Sequence, residues 1–420
     1  MPAPRTIAPQ PWMTAPATRK VMAALAADGA EARFVGGCVR DALLGVPVKD
    51  IDIATHETPE RVIALLERAG IKAVPTGIAH GTVTAVVGEE HFEITTLRRD
   101  VRPRGRHADV AFTDDWAEDA ARRDFTINAL SLAGDGTVFD PFGGLDDLAR
   151  GRVRFVGDAE TRIREDVLRL LRYFRFFAWY DRPPPDAEAL AAARKLAPLL
   201  PSLSAERVWA ELRRILAAPD PAAVLTLMAG EGVLAHVLPE ARRFDVLAAL
   251  ATVEAAEGLA GPAADPVRRL AAVIAPDPEA AAGIAARLRL SRADGGRLAA
   301  LAREGAAIAP DCTGPEARRA VYRYGQALYR DLVLLSWAAE KAEGGGRQAD
   351  AAYAALLEVG VSFRPPALPV KGKDALALGL APGPAVGKAL AEVEAWWMAE
   401  DFRPDRAACL ARLREEVEGG

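Results

Sequence analysis

Phe34-Val35-Gly36-Gly37-Cys38-Val39-Arg40-Asp41, followed after a short loop by Lys49-Asp50-Ile51-Asp52-Ile53-Ala54-Thr55, decides the reading of this chain. An apolar strand runs into a paired glycine turn, and a helix carrying Arg40 follows. Glycine lets backbone N–H groups approach an anion closely, and a helix N-terminus favours negative charge. The second stretch alternates like a strand, so Asp50 and Asp52 fall on one face. Two neighbouring carboxylates repel unless a cation lies between them. Mg²⁺ is the simplest such cation, since it takes carboxylate and phosphate oxygens together. A phosphate cradle beside a dicarboxylate predicts transfer of a nucleotidyl or phosphoryl group. Read alone, the glycine pair is an ordinary strand-to-helix turn; the two aspartates reverse that preference.

The chain has 420 residues, suited to two to four domains, and half of them are hydrophobic. A net charge of −5 does not advertise a nucleic-acid binder, so any polyanion has to be met by local basic patches. Cys38, Cys312 and Cys409 stand far apart, without the spacing of a zinc site or a disulfide framework, and a reducing cytoplasm fits them. No apolar run reaches the roughly 18–20 residues of a membrane span.

Residues 1–16 read as a flexible arm. Residues 17–150 mix short strands and helices, with strands expected over 32–35, 50–54, 82–87 and 91–97 and helices over 18–27, 39–44 and 59–69. From about Gly151 the periodicity turns helical almost to the end, broken near Asp181 to Pro185, Pro219 to Pro221, Gly261-Pro262, Pro310 to Gly314 and Gly344 to Gly346. The expected class is α+β: a small mixed sheet in a head, then an all-helical neck (151–215), body (216–345) and tail (346–420).

Three further segments carry chemistry. Glu93, in His91-Phe92-Glu93-Ile94-Thr95-Thr96, lies on a strand expected beside Asp52 and is either a third acid for a metal or a solvated strand residue. Arg122-Arg123-Asp124-Phe125-Thr126-Ile127-Asn128 packs Arg, Asp and Asn into one turn, suited to a triphosphate and ribose hydroxyls; standing alone, it is a helix start with Asp124 as its cap. In Arg164-Glu165-Asp166-Val167-Leu168-Arg169-Leu170-Leu171-Arg172-Tyr173-Phe174-Arg175, positions 166, 169, 172 and 175 make one Asp-Arg-Arg-Arg flank. Such a flank is often a salt-bridged surface, but Leu168, Leu171 and Phe174 make the rest of the helix apolar, which suits the wall of a cleft.

These motifs, in this order and spacing, resemble the class II CCA-adding enzymes of the tRNA nucleotidyltransferase and poly(A) polymerase family. The resemblance is dense from Phe34 to Phe177, weaker over Ser204-Ala205-Glu206-Arg207-Val208, and compositional beyond, apart from Pro382-Gly383-Pro384. It implies a polymerase-β-like nucleotidyltransferase head and a tail that binds tRNA. It also implies Mg²⁺-dependent addition of C, C and A to the tRNA 3′ end from CTP and ATP, with the protein as template.

Residue by residue, it makes Gly37 and Arg40 contacts of the incoming nucleotide and Asp50 and Asp52 the metal-binding aspartates. Arg123 and Asp124 would read triphosphate and ribose, and Asp166, Arg169, Arg172 and Arg175 would line the nucleotide-reading helix. Cytosine and adenine both carry an amino group on the pairing edge. Asp166 suits that amino group and Arg169 the adjacent ring nitrogen, whereas uracil and guanine would set a carbonyl against the carboxylate.

The basic stretch Arg99-Asp100-Val101-Arg102-Pro103-Arg104-Gly105-Arg106-His107 matches the family's flexible loop, with Arg104 where an Asp often stands and Cys38 where alanine is common. The chain has no His-Asp dipeptide, which gives no support to an appended phosphohydrolase domain of that type. The rival expectations are a poly(A) polymerase, an enzyme adding only A or only CC, and a tRNA-binding protein with a degenerate site.

Overall fold

The computed structural model describes residues 5–104, 107–180, 182–259 and 264–418. The chain forms two compact units, Met1–Pro239 and Glu240–Gly420. Asp181, Gly105-Arg106 and the expected break at Gly261-Pro262 lie outside the described residues.

Among the described residues, the first unit is built on ten strands: β1 (Arg5–Thr6), β2 (Ala32–Val35), β3 (Ile51–Thr55), β4 (Lys72–Gly77), β5 (Thr82–Val87), β6 (Glu90–Thr96), β7 (Arg98–Arg104), β8 (His107–Phe112), β9 (Ser131–Leu132) and β10 (Thr137–Phe139). Eight form one mixed sheet in the order β1-β10-β9-β2-β3-β6-β5-β4, and β7 and β8 make a separate ribbon. All pairs are antiparallel except β3 with β6. Register aligns Leu132, Phe34, Ile53, Ile94 and Val83 in one row across the sheet. All five are fully buried or nearly so. Because strand side chains alternate, the adjoining row, Asp52, Glu93 and Thr84, faces the other way.

The unit's helices are α1 (Pro11–Thr14), α2 (Pro16–Leu25), α3 (Gly37–Leu44), α4 (Pro59–Arg68), α5 (Trp116–Ala121), α6 (Gly144–Arg150), α7 (Ala159–Glu165), α8 (Leu168–Tyr180), α9 (Ala187–Leu196), α10 (Ala205–Leu216) and α11 (Pro221–Gly230). Pro59 and the Thr58 cap, whose hydroxyl accepts from the Arg61 N–H, start α4. Val62, Leu65 and Leu66 then bury its apolar stripe, and the helix packs on β4, β5 and β6. The N-terminal arm differs from its expectation. β1 pairs with β10, Met13 is buried, and the Trp12 ring meets Phe34 edge-on with centroids 4.8 Å apart. Apolar contact ties this segment down.

The helix holding the Asp-Arg-Arg-Arg flank is two helices. α7 ends at Glu165, Asp166 is extended (φ −147°, ψ 108°), and α8 starts at Leu168, with the Asp166 carboxylate accepting the Leu168 N–H at 3.2 Å. Short polar side chains offer the backbone such a local alternative to helix. α11 packs on α8 and α10 and stays with this unit.

The second unit is helical throughout its described residues: α12 (Phe244–Ala256), α13 (Pro266–Val273), α14 (Pro278–Arg287), α15 (Arg292–Glu304), α16 (Gly314–Ala342), α17 (Arg347–Ser362), α18 (Gly372–Ala377), α19 (Pro384–Ala399) and α20 (Arg406–Glu418). Gly325 kinks α16 with a left-handed φ of 74°. It holds a charge cluster: among buried residues, Glu254 accepts from Arg268 and Arg269 at 2.7 Å each and Asp331 accepts from Arg268 at 2.9 Å, while half-buried Arg297 donates to Asp331 at 2.8 Å. A separate apolar cluster joins Val370, Ala375, Ala389, Val393, Trp397, Cys409 and Leu413. Among the described residues no helix is long and apolar enough to cross a membrane. The fold is α+β, a mixed-sheet head followed by helices.

Candidate active site

Asp52 lies at the centre of the site. It stands in β3, in parallel register with Glu93 of β6. Asp50 lies one residue before the strand and is exposed. Burial, then the charges of Glu93 and Asp50, push the Asp52 carboxyl up to about 6 against the pull of Arg123. That balance marks a site short of positive charge. Among the described residues no group of three or more His, Cys, Asp or Glu side chains forms a ready-made metal site. The donors fit a hard cation held by one or two carboxylates and completed by substrate phosphates. Glu93 acts on Asp52 through its charge.

The glycine turn abuts this acid. Gly36 has φ 70° and ψ −127°, a conformation that favours glycine. A Cβ on Gly36 would stand 3.1 Å from Arg123 Nη1 and 3.8 Å from Asp52 Oδ2. Glycine turn, acid and guanidinium thus meet at one point. Gly37 opens α3, and the Cys38 thiol donates back to the Val35 carbonyl at 3.2 Å. Burial pushes that thiol up to about 12, so it is inert packing.

Arg40 is buried beside this turn, its Nη2 3.7 Å from where a Cβ on Gly37 would stand. Its Nη1 donates to Asn128 Oδ1 at 2.7 Å, its Nε to Asp41 at 2.9 Å, and its guanidinium lies 4.3 Å from the Tyr180 ring centre. Asn128 Nδ2 in turn donates to Asp124 Oδ1 at 3.0 Å, and Arg172 Nε donates to Asp124 Oδ2 at 2.7 Å. Burial would raise the Asp124 carboxyl, but the Arg172 charge and the Asn128, Arg172 and Phe125 donors outweigh it and hold it low. Arg40, Asp124 and Arg172 therefore form a strut from α3 to α8. Arg175 pairs with buried Glu211 of α10 at 2.6 Å, and burial pulls it below the ordinary arginine value.

Asp166 and Arg169 have separate partners. Arg207 of α10 donates to Asp166 Oδ2 at 2.7 Å. Arg169 donates to Glu165 at 2.6 Å, to the Arg162 carbonyl at 3.3 Å and to the Arg122 carbonyl at 3.1 Å. That occupies three of the five N–H groups a guanidinium carries. A cavity of about 440 Å³ opens beside Asp166, lined by Glu165, Val167, Ser202, Ser204 and Arg207 among others.

Sequence reasoning did not name Glu165, Arg207, Glu211 or Asp119 as site residues. Asp119 had a signal, since an acid three and four residues before an arginine pair shares their helical face. Arg207 lies in the weakly matching Ser204 to Val208 stretch.

Residues 32–154 match the family model described as poly A polymerase head domain, and residues 185–244 match the probable RNA and SrmB-binding site of polymerase A. The mouse mitochondrial CCA tRNA nucleotidyltransferase 1 is 47% identical over 215 residues, 50% of this chain and 50% of that protein. The CCA-adding enzyme of Geobacillus stearothermophilus is 41% identical over 212 residues, 50% of this chain and 51% of that protein. The match thus spans about half the length of these relatives. The crystal structure of the Bacillus stearothermophilus CCA-adding enzyme in complex with CTP superposes with a TM-score of 0.77 and 28% identity, covering 95% of this chain and 96% of that one. The Thermotoga maritima CCA-adding enzyme complexed with tRNA shares the fold, with a TM-score of 0.66 at 20% identity. In its head motifs, its neck and its fold, the chain is similar to the class II CCA-adding enzymes of the tRNA nucleotidyltransferase and poly(A) polymerase family.

Proposed function

We propose that this protein is a CCA tRNA nucleotidyltransferase, adding C, C and A to the tRNA 3′ end from CTP and ATP without a nucleic-acid template. The observation that carries the reading is the convergence of Asp52, Arg123 and Gly36 at one point, with Glu93 in register. The tRNA 3′-hydroxyl attacks the α-phosphate in line and pyrophosphate leaves. Asp50 and Asp52 are the residues to hold the divalent cation the family's chemistry calls for, here Mg²⁺. When bound, the cation supplies a more acidic attacking hydroxyl and neutralises triphosphate charge. The Gly36-Gly37 turn gives Gly37 the room to meet the nucleotide, and Arg123 supplies positive charge beside it.

Asp166 and Arg169 are the base readers. Each oxygen of a carboxylate has two acceptor positions, so Asp166 keeps capacity for an amino group while held by Arg207. Arg172, Asp124, Arg40 and Arg175 support this pair and the nucleotide site through the strut and the Glu211 pair.

The division into head (17–150), neck (151–215), body (216–345) and tail (346–420) goes with this reading, the tail binding tRNA. Phosphate contacts make that affinity fall with salt. Three free cysteines favour a reducing compartment, and we place the protein in the cytoplasm, although some relatives are named as mitochondrial.

The test is incubation with a tRNA transcript lacking CCA, Mg²⁺ and each nucleotide alone or together, read at single-nucleotide resolution. Growth by two with CTP, and by a third on adding ATP, supports the reading. Long A tails, or A-only or CC-only products, replace it with the sister activities, and no extension by a tRNA-binding protein removes the catalytic role.

A further inference from the structure

One buried carboxylate outside the assigned site touches three arginines that meet there, Arg98, Arg122 and Arg123. Asp119 lies on α5 and is 3% exposed. Its Oδ1 accepts from Arg122 Nε at 2.9 Å, Arg122 Nη2 at 2.7 Å and the backbone N–H of Arg98 at 3.3 Å. Its Oδ2 accepts from Arg123 Nη2 at 3.2 Å.

Each contact leads somewhere. Arg98 opens β7, the first strand of the separate ribbon. The Arg122 carbonyl accepts from Arg169 Nη2 at 3.1 Å. Arg123 keeps Nη1 beside the Gly36 turn and Asp52, while its Nη2 is tied back. A guanidinium held at one nitrogen has its free edge fixed in direction, which is how an arginine becomes preorganised for a phosphate. Two arginines share one carboxylate, so positive charge is left over on the side facing the glycine turn.

We propose that Asp119 is a positioning residue for the nucleotide triphosphate. It aims Arg123 into the space between Gly36 and Asp52, and through the Arg122 backbone it sets Arg169 against the base. This rests on the nucleotidyltransferase reading and adds to it the residue that places the two arginines. Asp119 touches no reacting atom; its effect passes through its partners.

The experiment is a double-mutant cycle on the full-length protein with Asp119→Asn, Arg123→Gln and the pair. It reads the KM for CTP in tRNA extension and the binding of CTP and CMP without tRNA. Asp119→Asn is expected to raise the KM for CTP about tenfold and to narrow the preference for CTP over CMP by a similar factor. With Arg123→Gln already present, it is expected to narrow the preference for CTP over CMP little further, since the path to the triphosphate runs through Arg123. Additive effects on that preference, or equal weakening of CTP and CMP, would show that Asp119 only supports the fold and would overturn the proposal. If Asp119→Asn is insoluble, Asp119→Glu keeps the charge and moves it by one methylene. The same narrowing, to a smaller degree, is then expected, and a wild-type CTP-over-CMP preference in that variant overturns the proposal. A wild-type protein that neither binds CTP nor extends tRNA removes the underlying reading; a competent wild type with an additive cycle removes only the role of Asp119.

Discussion

Asp52 and Glu93 stand directly opposite each other on the only parallel strand pair of the described sheet, two acids in register whose mutual repulsion Arg123 only partly offsets at Asp52. The Asp52 carboxyl, at about 6, is easier to protonate in the folded chain than in the unfolded one, where it is near 3.8. The folded state therefore binds more protons between these values. Its stability falls as pH rises through that window, and the penalty is complete above it. Asp52→Asn should thus stabilise the metal-free protein by about 2–3 kcal/mol at pH 7 while abolishing extension. Denaturant melts in a chelator measure this, and an unchanged midpoint would remove the argument from burial and repulsion at Asp52. Mg²⁺ should stabilise the wild type and leave the variant unmoved.

Arg207 fixes one oxygen of Asp166, the acid proposed to read the base. Arg207→Ala should free Asp166 to rotate and reduce the preference for CTP over UTP about tenfold, with tRNA affinity kept. Single-turnover incorporation of CTP and UTP tests this; full discrimination in the variant would assign selectivity elsewhere.

Arg172 and Asp124 form a pair whose acid is buried. Arg172→Ala leaves that charge without its main partner and should destabilise the first unit by about 3–5 kcal/mol. Asp124 has a lowered carboxyl, so its contribution is present above the unfolded value and is lost as pH falls through the folded one. The wild type should therefore lose stability in acid more steeply than Arg172→Ala, and parallel acid titrations would contradict the assignment.

The charge cluster of the second unit makes a prediction independent of catalysis. Glu254 is completely buried and holds both Arg268 and Arg269. Glu254→Gln should destabilise that unit by about 3–5 kcal/mol, because two buried guanidiniums lose their shared counter-charge. Melting followed at Trp337 or Trp397, both in that unit, measures the loss, and a change under about 1 kcal/mol would mean that water already reaches the cluster.

Much of the head was legible from its residues. Phe92 and Ile94 alternate with His91, Glu93 and Thr95, and Ile51 and Ile53 flank Asp52, so strand faces followed directly, and with them the shared row of Asp52 and Glu93. Spacing alone did not carry the flank at 166, 169, 172 and 175. Three-residue steps suggest one helix, but the Asp166 side chain caps the next helix and breaks the run. Nor did the sequence tell which arginines were spent. Arg40, Arg172 and Arg175 each met a carboxylate or amide distant in the chain or one on a neighbouring element, and such pairings belong to packing. The helical half offered periodicity and breaks without a site, because its charges are absorbed in pairs such as Arg268 with Asp331, 63 residues apart.

The ribbon of β7 and β8 shares no ladder with the eight-stranded sheet. Its root is secured by the Arg98 N–H on Asp119 and by the Thr113 N–H on the Leu97 carbonyl. Residues can therefore be gained, lost or exchanged at its tip without shifting the register of any strand that holds Asp52 or Glu93. For an evolving lineage this is a tuning screw: the ribbon can drift in length and charge while the chemistry behind it stays put.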